Sequence, residues 1–135
     1  MNRFHRALAV AAACAALLPA AAPAAWAADP APLGDLVLTK TYDFPSEKPP
    51  VSYTLTCSPD GGTHTNPAAA CATLRKVEGD FRALHGRQQY PCDQTWQEPV
   101  TVTAKGTWNG TPVDWQYSHA NSCFTERDTA GVFNF

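Results

Sequence analysis

One segment determines the fold class of this chain: Val100-Thr101-Val102-Thr103-Ala104-Lys105-Gly106-Thr107-Trp108-Asn109-Gly110-Thr111-Pro112-Val113-Asp114-Trp115-Gln116-Tyr117-Ser118-His119. Apolar and polar residues alternate before Asn109-Gly110 and again after it. A period of two is typical of a β-strand with one buried face, and Asn-Gly is a preferred two-residue hairpin turn. The segment therefore predicts two antiparallel strands joined by a tight turn.

Three other segments predict further strands. Residues 35–44 alternate between an apolar and a polar face, and residues 51–57 do so more regularly. Lys40 interrupts the apolar face of the first of these, which favours an edge strand. The short apolar run 132–135 predicts a last strand. Together with the hairpin, these segments make five strands.

A helix is predicted between the strands, beginning at Asn66-Pro67. Asparagine is a good helix cap, and proline is favoured at the first helical position. Apolar side chains then follow helical spacing at Leu74, Val77, Phe81 and Leu84. Gly79 should interrupt this helix, which resumes as a short turn, and Gly86 should end it. Segregated strands and a helix predict an α+β domain in which the helix packs on an antiparallel sheet.

The beginning of the chain has the features of a secretory signal peptide. Two arginines precede the apolar run Ala7–Leu18, and Ala25-Trp26-Ala27 is a small-x-small cleavage site. We therefore expect residues 1–27 to be removed and residues 28–135 to form one secreted domain. The apolar run is too short for a stable membrane anchor.

The charge balance excludes two classes of partner. The chain has 10 Lys+Arg and 12 Asp+Glu, and removal of Arg3 and Arg6 leaves 8 basic residues against 12 acidic ones, a net charge of −4. Nucleic acids and anionic membranes both require clustered basic residues. We therefore expect neither nucleic acid nor a membrane as a partner.

The cysteine count predicts disulfides. Four cysteines lie outside the leader: Cys57, Cys71, Cys92 and Cys123. An even number in a small exported domain indicates two disulfide bonds, for which three connectivities are available. The chain has no C-x-x-C pair and its histidines are scattered, which disfavours a zinc site. No metal or cofactor is expected.

No catalytic machinery is evident. The chain lacks the G-x-S-x-G and H-E-x-x-H motifs and has no cysteine to spare from disulfides, and His64, His85 and His119 are scattered along the sequence. Asp93 and Glu98 are two carboxylates, but a pair of carboxylates alone does not make a glycosidase. We therefore predict no catalytic residues and no enzymatic activity.

A polar segment without helical or strand period separates the helix from the hairpin: Tyr90-Pro91-Cys92-Asp93-Gln94-Thr95-Trp96-Gln97-Glu98-Pro99. Cys92 can anchor it covalently. Trp96 is an unusual residue for a polar loop, because an exposed indole indicates either a binding partner or a ring folded back onto the sheet. Both alternatives stay open from the sequence. An anchored, displayed loop predicts a surface that another molecule binds.

Nine segments together indicate a family: Leu36-Val37-Leu38-Thr39, Leu55-Thr56-Cys57, Gly62-Thr63-His64, Pro67-Ala68-Ala69, Cys71-Ala72-Thr73-Leu74, Pro99-Val100-Thr101-Val102, Gly106-Thr107-Trp108-Asn109-Gly110, Asn121-Ser122-Cys123 and Val132-Phe133-Asn134-Phe135. Across nearly all of residues 28–135, the chain resembles the subtilisin inhibitors secreted by Streptomyces. The resemblance implies a five-stranded antiparallel sheet with two helices, the second one short and near residues 123–128. It also implies the disulfides Cys57–Cys71 and Cys92–Cys123, and a homodimer packed sheet to sheet.

The resemblance also implies which residues bind the protease. The scissile bond of the family follows the second residue after the third cysteine, which here is the bond between Gln94 (P1) and Thr95 (P1′). Asn121 corresponds to an asparagine that braces the loop from behind. The implied protease-binding residues are Pro91, Cys92, Asp93, Gln94, Thr95 and Trp96.

The loop departs from the family pattern in three ways. Asp93 stands where the family has a stiffening proline, and Gln94 replaces a residue that fits the primary pocket well. The spacing from Cys92 to Pro99 is one residue longer, so an alternative register makes Thr95 the P1 residue and Trp96 the P1′ residue. These changes predict a more flexible loop and weaker binding, since ordering a residue costs about 1 kcal/mol or more.

The sequence thus supports two hypotheses. The first is a secreted inhibitor of extracellular, subtilisin-like serine proteases that acts through residues 90–99, with a metalloprotease as a further target class. The second is a non-inhibitory interaction protein on the same scaffold, with Gln94 and Gln97 as transglutaminase acceptor sites. An ordered loop held by Asn121 favours the first hypothesis, whereas a loop folded back with Trp96 buried favours the second.

Overall fold

The computed structural model describes residues 30–43, 46, 48–84, 86 and 91–135. The predicted signal peptide, residues 1–27, lies outside the described residues. So do Phe44, His85 and Tyr90, on which parts of the predicted first strand, the histidine set and the loop fall.

The described residues form one antiparallel sheet with two helices. The strands are Gly34–Tyr42 (β1), Val51–Cys57 (β2), Gly61–Gly62 (β3), Val100–Trp108 (β4) and Thr111–His119 (β5), and the helices are Pro67–Lys76 (α1) and Ser122–Asp128 (α2), with a 3₁₀ turn at Phe81–Ala83. The strand order is β3-β2-β1-β4-β5. The predicted α+β class and five-stranded antiparallel sheet are confirmed, and so is the short second helix that the resemblance implied. Within the described part of the chain, no helix is long and apolar enough to cross a membrane.

The β4–β5 hairpin has the predicted turn. Trp108 pairs with Thr111, and the two residues between them have positive φ angles, 48° at Asn109 and 73° at Gly110. A turn with both central residues in the left-handed region matches the twist of the two strands that it joins. The most regular pattern in the sequence therefore forms as expected.

The predicted last strand is wrong. Residues 131–133 form turns, in which the Val132 N–H donates to Thr129 O at 3.0 Å. Val132 and Phe133 are nevertheless fully buried, because the turn folds them onto the sheet. The fifth strand is the short Gly61–Gly62 segment, which pairs with β2. A short apolar run buried in a turn has the same local pattern as a short strand.

The prediction that Lys40 marks an edge strand is also wrong, because β1 is the central strand of the sheet. The Lys40 side chain is buried and its Nζ donates to Phe135 O at 2.7 Å. Burial lowers the pKa of Lys40, and the nearby Glu126 carboxylate partly opposes this effect. The aliphatic stem thus contributes to the core while the amine keeps a polar partner.

Helix α1 begins as predicted and ends earlier. The Asn66 side chain accepts a hydrogen bond from the Ala69 N–H at 3.2 Å, and Pro67 follows it. The helix ends at Lys76, because Gly79 has φ +76° and its N–H donates back to Leu74 O. After this interruption the chain forms the short 3₁₀ turn that the sequence predicted. The prediction that Gly86 ends a helix is wrong, because this turn ends at Ala83. The Cys57–Cys71 disulfide joins α1 to β2.

The two faces of the sheet differ in chemistry. The core lies on one face and comprises mainly Leu36, Leu38, Leu55, Leu74, Phe81, Val100, Val102, Ala104, Trp108 and Phe133. The other face carries mostly threonine and serine side chains, such as Thr39, Thr54 and Thr103. Val37 lies among them and is 45% exposed. The polar loop at residues 91–99 lies at the end of the sheet where β4 begins. Helix α2, which follows β5, begins at the same end.

Candidate functional site

Both ends of the loop at residues 91–99 are attached to the body of the protein. At the first end, the Cys92–Cys123 disulfide ties the loop to the beginning of α2, with 5.7 Å between the Cα atoms. At the second end, the Glu98 N–H donates to Ala120 O at 3.2 Å, and Pro99 O accepts from the Asp43 N–H at 2.8 Å. The connectivity is the one that the resemblance implied, and it leaves only residues 93–97 as the free tip.

Asn121 supports this tip from behind. Its side chain is fully buried, and Nδ2 donates to Asp93 O at 3.0 Å and to Trp96 O at 2.8 Å. Its Oδ1 accepts from the N–H groups of Cys123 and Phe124, at 3.0 and 3.3 Å, and so caps α2. One buried amide therefore fixes the loop and the helix relative to each other.

The tip also contains hydrogen bonds of its own. Asp93 Oδ1 accepts from the Thr95 hydroxyl at 2.7 Å and from the Thr95 N–H at 2.8 Å. Bonds from the Thr95 hydroxyl and from the N–H groups of Thr95 and Trp96 hold the pKa of Asp93 below its usual value. Gln97 Nε2 donates to Gln94 O at 2.7 Å. The two bonds to Asp93 constrain a segment that lacks the proline of the family pattern.

The tip is exposed and bent. Gln94, Thr95, Trp96 and Gln97 are all exposed, and the backbone bends at residues 94 and 95. The Trp96 side chain is 47% exposed, so it is not folded back onto the sheet. Of the two alternatives for Trp96, a ring exposed for a binding partner or a ring folded back onto the sheet, the structure therefore has the exposed ring. A large apolar surface on a rigid loop is a typical anchor for a binding partner.

Glu98 lies at the base of the loop in an ion pair. Its Oε1 is 2.6 Å from Lys48 Nζ, and this contact raises the pKa of Lys48. The Lys48 amine also lies 4.7 Å from the centre of the Tyr42 ring. Glu98 therefore contacts the body of the protein, and it shares no contact with Asp93 that would suggest paired acid and base groups.

The two histidines that the structure describes contact the C-terminal turn and helix α2. His64 Nδ1 accepts from the Asn66 N–H at 3.0 Å, which leaves Nε2 to donate to Val132 O at 2.9 Å. His119 is buried on β5, with Nε2 3.9 Å from Asp128 Oδ2. Burial lowers the pKa of His119, the Asp128 carboxylate opposes this, and Arg127 adds to it. The first histidine fixes the C-terminal turn, and the second packs at the edge of the sheet.

One group of side chains has the spacing of a metal site among the described residues. The donor atoms of Cys57, Asp60 and Cys71 lie within 4.8 Å of one another. Both sulfur atoms belong to the disulfide, and Asp60 pairs with Arg75. A disulfide offers no thiolate to a metal ion. This group is therefore a covalent cross-link with an ion pair beside it.

Comparison with known proteins identifies the family. A family model described as "Subtilisin inhibitor-like" matches residues 32–121, which include β1, both disulfide-bonded cysteines of the first pair, and the loop. This chain belongs to the subtilisin inhibitor-like family. The matched segment ends at Asn121, the residue that supports the loop.

Several curated relatives of this chain come from Streptomyces. It is 46% identical over 83 residues to subtilisin inhibitor-like protein 5 of Streptomyces fradiae, a match that covers 61% of this chain and 77% of the relative. It is 38% identical over 120 residues to trypsin inhibitor STI2 of Streptomyces longisporus, covering 87% of this chain and 80% of the relative. These relatives are named as protease inhibitors.

A solved structure has the same fold. The crystal structure of Streptomyces caespitosus sermetstatin in complex with Bacillus licheniformis subtilisin matches with a TM-score of 0.60 and 29% identity, covering 75% of this chain and 97% of that chain. The resemblance predicted from sequence segments is thus confirmed at the level of family and fold. In that complex, a protein similar to this subtilisin inhibitor-like chain is bound to subtilisin.

Sequence reasoning missed the bonds inside the loop tip. The sequence pattern identifies Asp93 only as a lost proline, and Gln97 only as an exposed glutamine. The signal is present as Asp-x-Thr, since aspartate often accepts a hydrogen bond from the residue two positions later. The family pattern indicates that a proline is missing at position 93, but it does not indicate that the Asp93 carboxylate bonds to Thr95 instead.

Proposed function

We propose that this protein is a secreted inhibitor, rather than an enzyme, that binds extracellular serine proteases of the subtilisin class. Residues 90–99 form its reactive loop and present the Gln94–Thr95 bond to the protease, with Trp96 beside it. The observation that carries this proposal is a displayed tip attached at both ends and held from behind by Asn121. Membership of the subtilisin inhibitor-like family supports it.

The physical basis is preorganisation. A loop that binds in the cleft of a protease adds backbone hydrogen bonds along the edge of the active site, as in strand addition. A flexible peptide loses conformational entropy when it binds, and a loop already held by a disulfide and by Asn121 loses much less. The same constraints keep the two ends together after cleavage, so that product release is slow.

The hydrogen bonds of Asn121 favour the Gln94–Thr95 register. Its amide bonds to the carbonyls of Asp93 and Trp96, one on each side of this bond and one residue away from it. In the alternative register, in which Thr95 is the P1 residue, the two supported carbonyls would lie asymmetrically about the Thr95–Trp96 bond. We therefore retain Gln94 as P1 and Thr95 as P1′.

Titration of subtilisin with purified residues 28–135 tests the proposal. We expect residual activity to fall linearly to near zero at one inhibitor chain per protease, with slow cleavage after Gln94 located by mass spectrometry. Slow cleavage after Thr95 would establish inhibition in the alternative register. Complete digestion within the loop, or no effect at excess protein, would refute inhibition of subtilisin.

Replacing Gln97 with alanine should strengthen inhibition. In the free protein, the Gln97 amide occupies the carbonyl oxygen of Gln94, and this oxygen must enter the oxyanion hole of the protease. Removing one neutral hydrogen bond that must break on binding should lower the inhibition constant about threefold to tenfold. Lys76→Ala, which changes an exposed side chain at the end of α1, is the control and should have no effect. A weaker Gln97→Ala inhibitor would mean that Gln97 positions the loop instead.

The alternative is a different partner for the same loop, either a metalloprotease or a transglutaminase that acylates Gln94 or Gln97. The observation in its favour is the exposure of both glutamines. Incubation with transglutaminase and a fluorescent amine, followed by peptide mapping, tests it. Labelling confined to residues 94 and 97, without inhibition of any serine or metalloprotease, would favour this alternative.

We also propose that two copies associate through the threonine-rich face of the sheet. Val37 provides an exposed apolar contact at the centre of this face, between Thr54 of β2 and Lys105 of β4. Light scattering should give the mass of a dimer for the unmodified protein and of a monomer for Val37→Asp. Tyr117→Ser removes another exposed apolar side chain, from the opposite face of β5, and should remain dimeric. A monomeric unmodified protein at micromolar concentration would refute the dimer.

A further inference from the structure

We propose that Asp93 is a positioning residue whose carboxylate fastens Thr95 across the Gln94–Thr95 bond, and so takes over the constraint that proline supplies elsewhere in the family. We call the pair of hydrogen bonds from Thr95 to Asp93 Oδ1 the Asp93–Thr95 bridge. This inference rests on the proposed inhibitory function, because it assigns the bridge a role in resisting cleavage.

The geometry connects the two sides of one peptide bond. Asp93 precedes the bond and Thr95 follows it, and a single oxygen, Oδ1, accepts from the Thr95 hydroxyl at 2.7 Å and from the Thr95 N–H at 2.8 Å. The disulfide at Cys92 holds only the chain before the bond. Asn121 contacts both sides, but from beneath. The Gln97 amide also reaches across, to Gln94 O at 2.7 Å, but that oxygen must leave it to enter the oxyanion hole of the protease. The Asp93–Thr95 bridge is therefore the link across the bond that can persist in the complex.

The Asp93–Thr95 bridge should be more stable than a single hydrogen bond between two neutral groups on an exposed surface. Both bonds come from the same residue, so the cost of ordering Thr95 is shared between them. The acceptor is a carboxylate, and hydrogen bonds to ionised acceptors are stronger than those between neutral groups. Because the two residues are only two positions apart, no long loop must close to form the bridge.

The bridge has a consequence for cleavage by a bound protease. In a serine protease, the serine oxygen bonds to the Gln94 carbonyl carbon as the bond from that carbon to the Thr95 nitrogen breaks, and the serine proton passes to the nitrogen through the catalytic histidine. Attack of the Thr95 nitrogen on this acyl-enzyme restores the peptide bond and returns the proton to the serine, whereas attack of water completes hydrolysis. The Thr95 nitrogen released by cleavage still has Asp93 as a hydrogen-bond acceptor. It therefore stays beside the acyl carbon, where it can react again before water does.

Four single variants separate the bridge from other roles of the same residues. Asp93→Ala removes the acceptor, whereas Asp93→Asn keeps an oxygen in its place. Thr95→Val removes the hydroxyl, whereas Thr95→Ser keeps it. The inhibition constant for subtilisin and the rate of cleavage in the complex are measured for each variant, and for Asp93→Ala combined with Thr95→Val.

We expect Asp93→Ala to bind about tenfold more weakly and to be cleaved about tenfold faster, which corresponds to the loss of one strong hydrogen-bonded contact. Asp93→Asn and Thr95→Ser should stay within about threefold of the unmodified protein, with Thr95→Val between these and Asp93→Ala. The double variant should be no worse than Asp93→Ala alone, because both changes break the same bridge. Unchanged behaviour of Asp93→Ala, or fully additive effects, would overturn the inference.

A second measurement tests the bridge without any protease. In the free protein, hydrogen exchange of the Thr95 amide should be slowed, and Asp93→Ala should remove this protection while Asp93→Asn largely retains it. Exchange of Thr95 that is independent of residue 93 would overturn the bridge, whatever the inhibition data show. Protection that depends on Asp93, in a protein that inhibits no protease, would leave the bridge standing and refute the proposed function.

Discussion

Replacing Asn121 with serine is expected to weaken inhibition of subtilisin about thirtyfold or more and to make the loop a substrate. Serine retains an oxygen that can cap α2, but it is too short to reach Asp93 O and Trp96 O, which the Asn121 amide contacts. The loss of two hydrogen bonds, each contributing about 1 kcal/mol, corresponds to about a thirtyfold change in binding. The freed tip should also sample conformations that release the cleaved product.

The matched control is Asn66→Ser. Asn66 caps α1 through the same kind of side-chain bond, to the Ala69 N–H, and contacts no described residue of the loop. Asn66→Ser should lose little thermal stability and Asn121→Ser more, because Asn121 is buried and Asn66 is exposed. Only Asn121→Ser should lose inhibition at temperatures where both variants are folded. The measurements are inhibition constants, mass spectrometry of the complex and thermal unfolding. Equal inhibition by the two variants would contradict a role for Asn121 in the loop.

Replacing Gly79 with alanine is expected to lower the free energy of unfolding by about 3 kcal/mol, through backbone strain and a steric clash together. Gly79 has φ +76°, a region that costs an ordinary residue about 1–2 kcal/mol. A Cβ atom there would also overlap the ring of Trp108 at Cγ. Trp108 is buried at 6% exposure, so its ring cannot move away without disturbing the core, which costs a further 1–3 kcal/mol or so.

Gly110→Ala separates the two contributions. Gly110 has nearly the same backbone angle, φ +73°, but a Cβ atom there would meet nothing within 4 Å. This control should therefore lose only the conformational part, about 1 kcal/mol. Urea unfolding of both variants gives the comparison, and the difference between them measures the contact of Gly79 with Trp108. Equal losses would show that the backbone angle alone accounts for the effect.

The local features of this protein follow from its sequence because each depends on neighbouring residues. Asn109-Gly110 specifies a turn with positive φ angles, the alternation on either side specifies strands, and Asn66-Pro67 specifies the beginning of α1. Gly79 interrupts that helix for the same reason. The cysteine count predicted two disulfides, and the family resemblance added their pairing, which the sequence pattern alone leaves among three alternatives.

Other features depend on residues far apart in the chain. Lys40 indicated an edge strand, yet β1 is the central strand, and the buried Lys40 amine donates there to Phe135 O. Val132 and Phe133 are apolar enough for a strand, but they reach the core through a turn. The pairing of Gly61–Gly62 with β2 has no pattern of its own. Local sequence could not distinguish these outcomes, since burial depends on what packs against a residue.

The loop combines both kinds of information. The sequence itself indicated the exposed polar segment and its cysteine anchor, and the family resemblance added the asparagine predicted to brace it. Only the tertiary structure brought the Asn121 amide within hydrogen-bond distance of two loop carbonyls, displayed Trp96, and joined Asp93 to Thr95. The sequence determined four of the five strands, the hairpin turn and the number of cross-links, because those are local or covalent. Their order in the sheet and the shape of the binding loop were decided by long-range packing, which satisfies buried polar groups that no short segment can satisfy by itself.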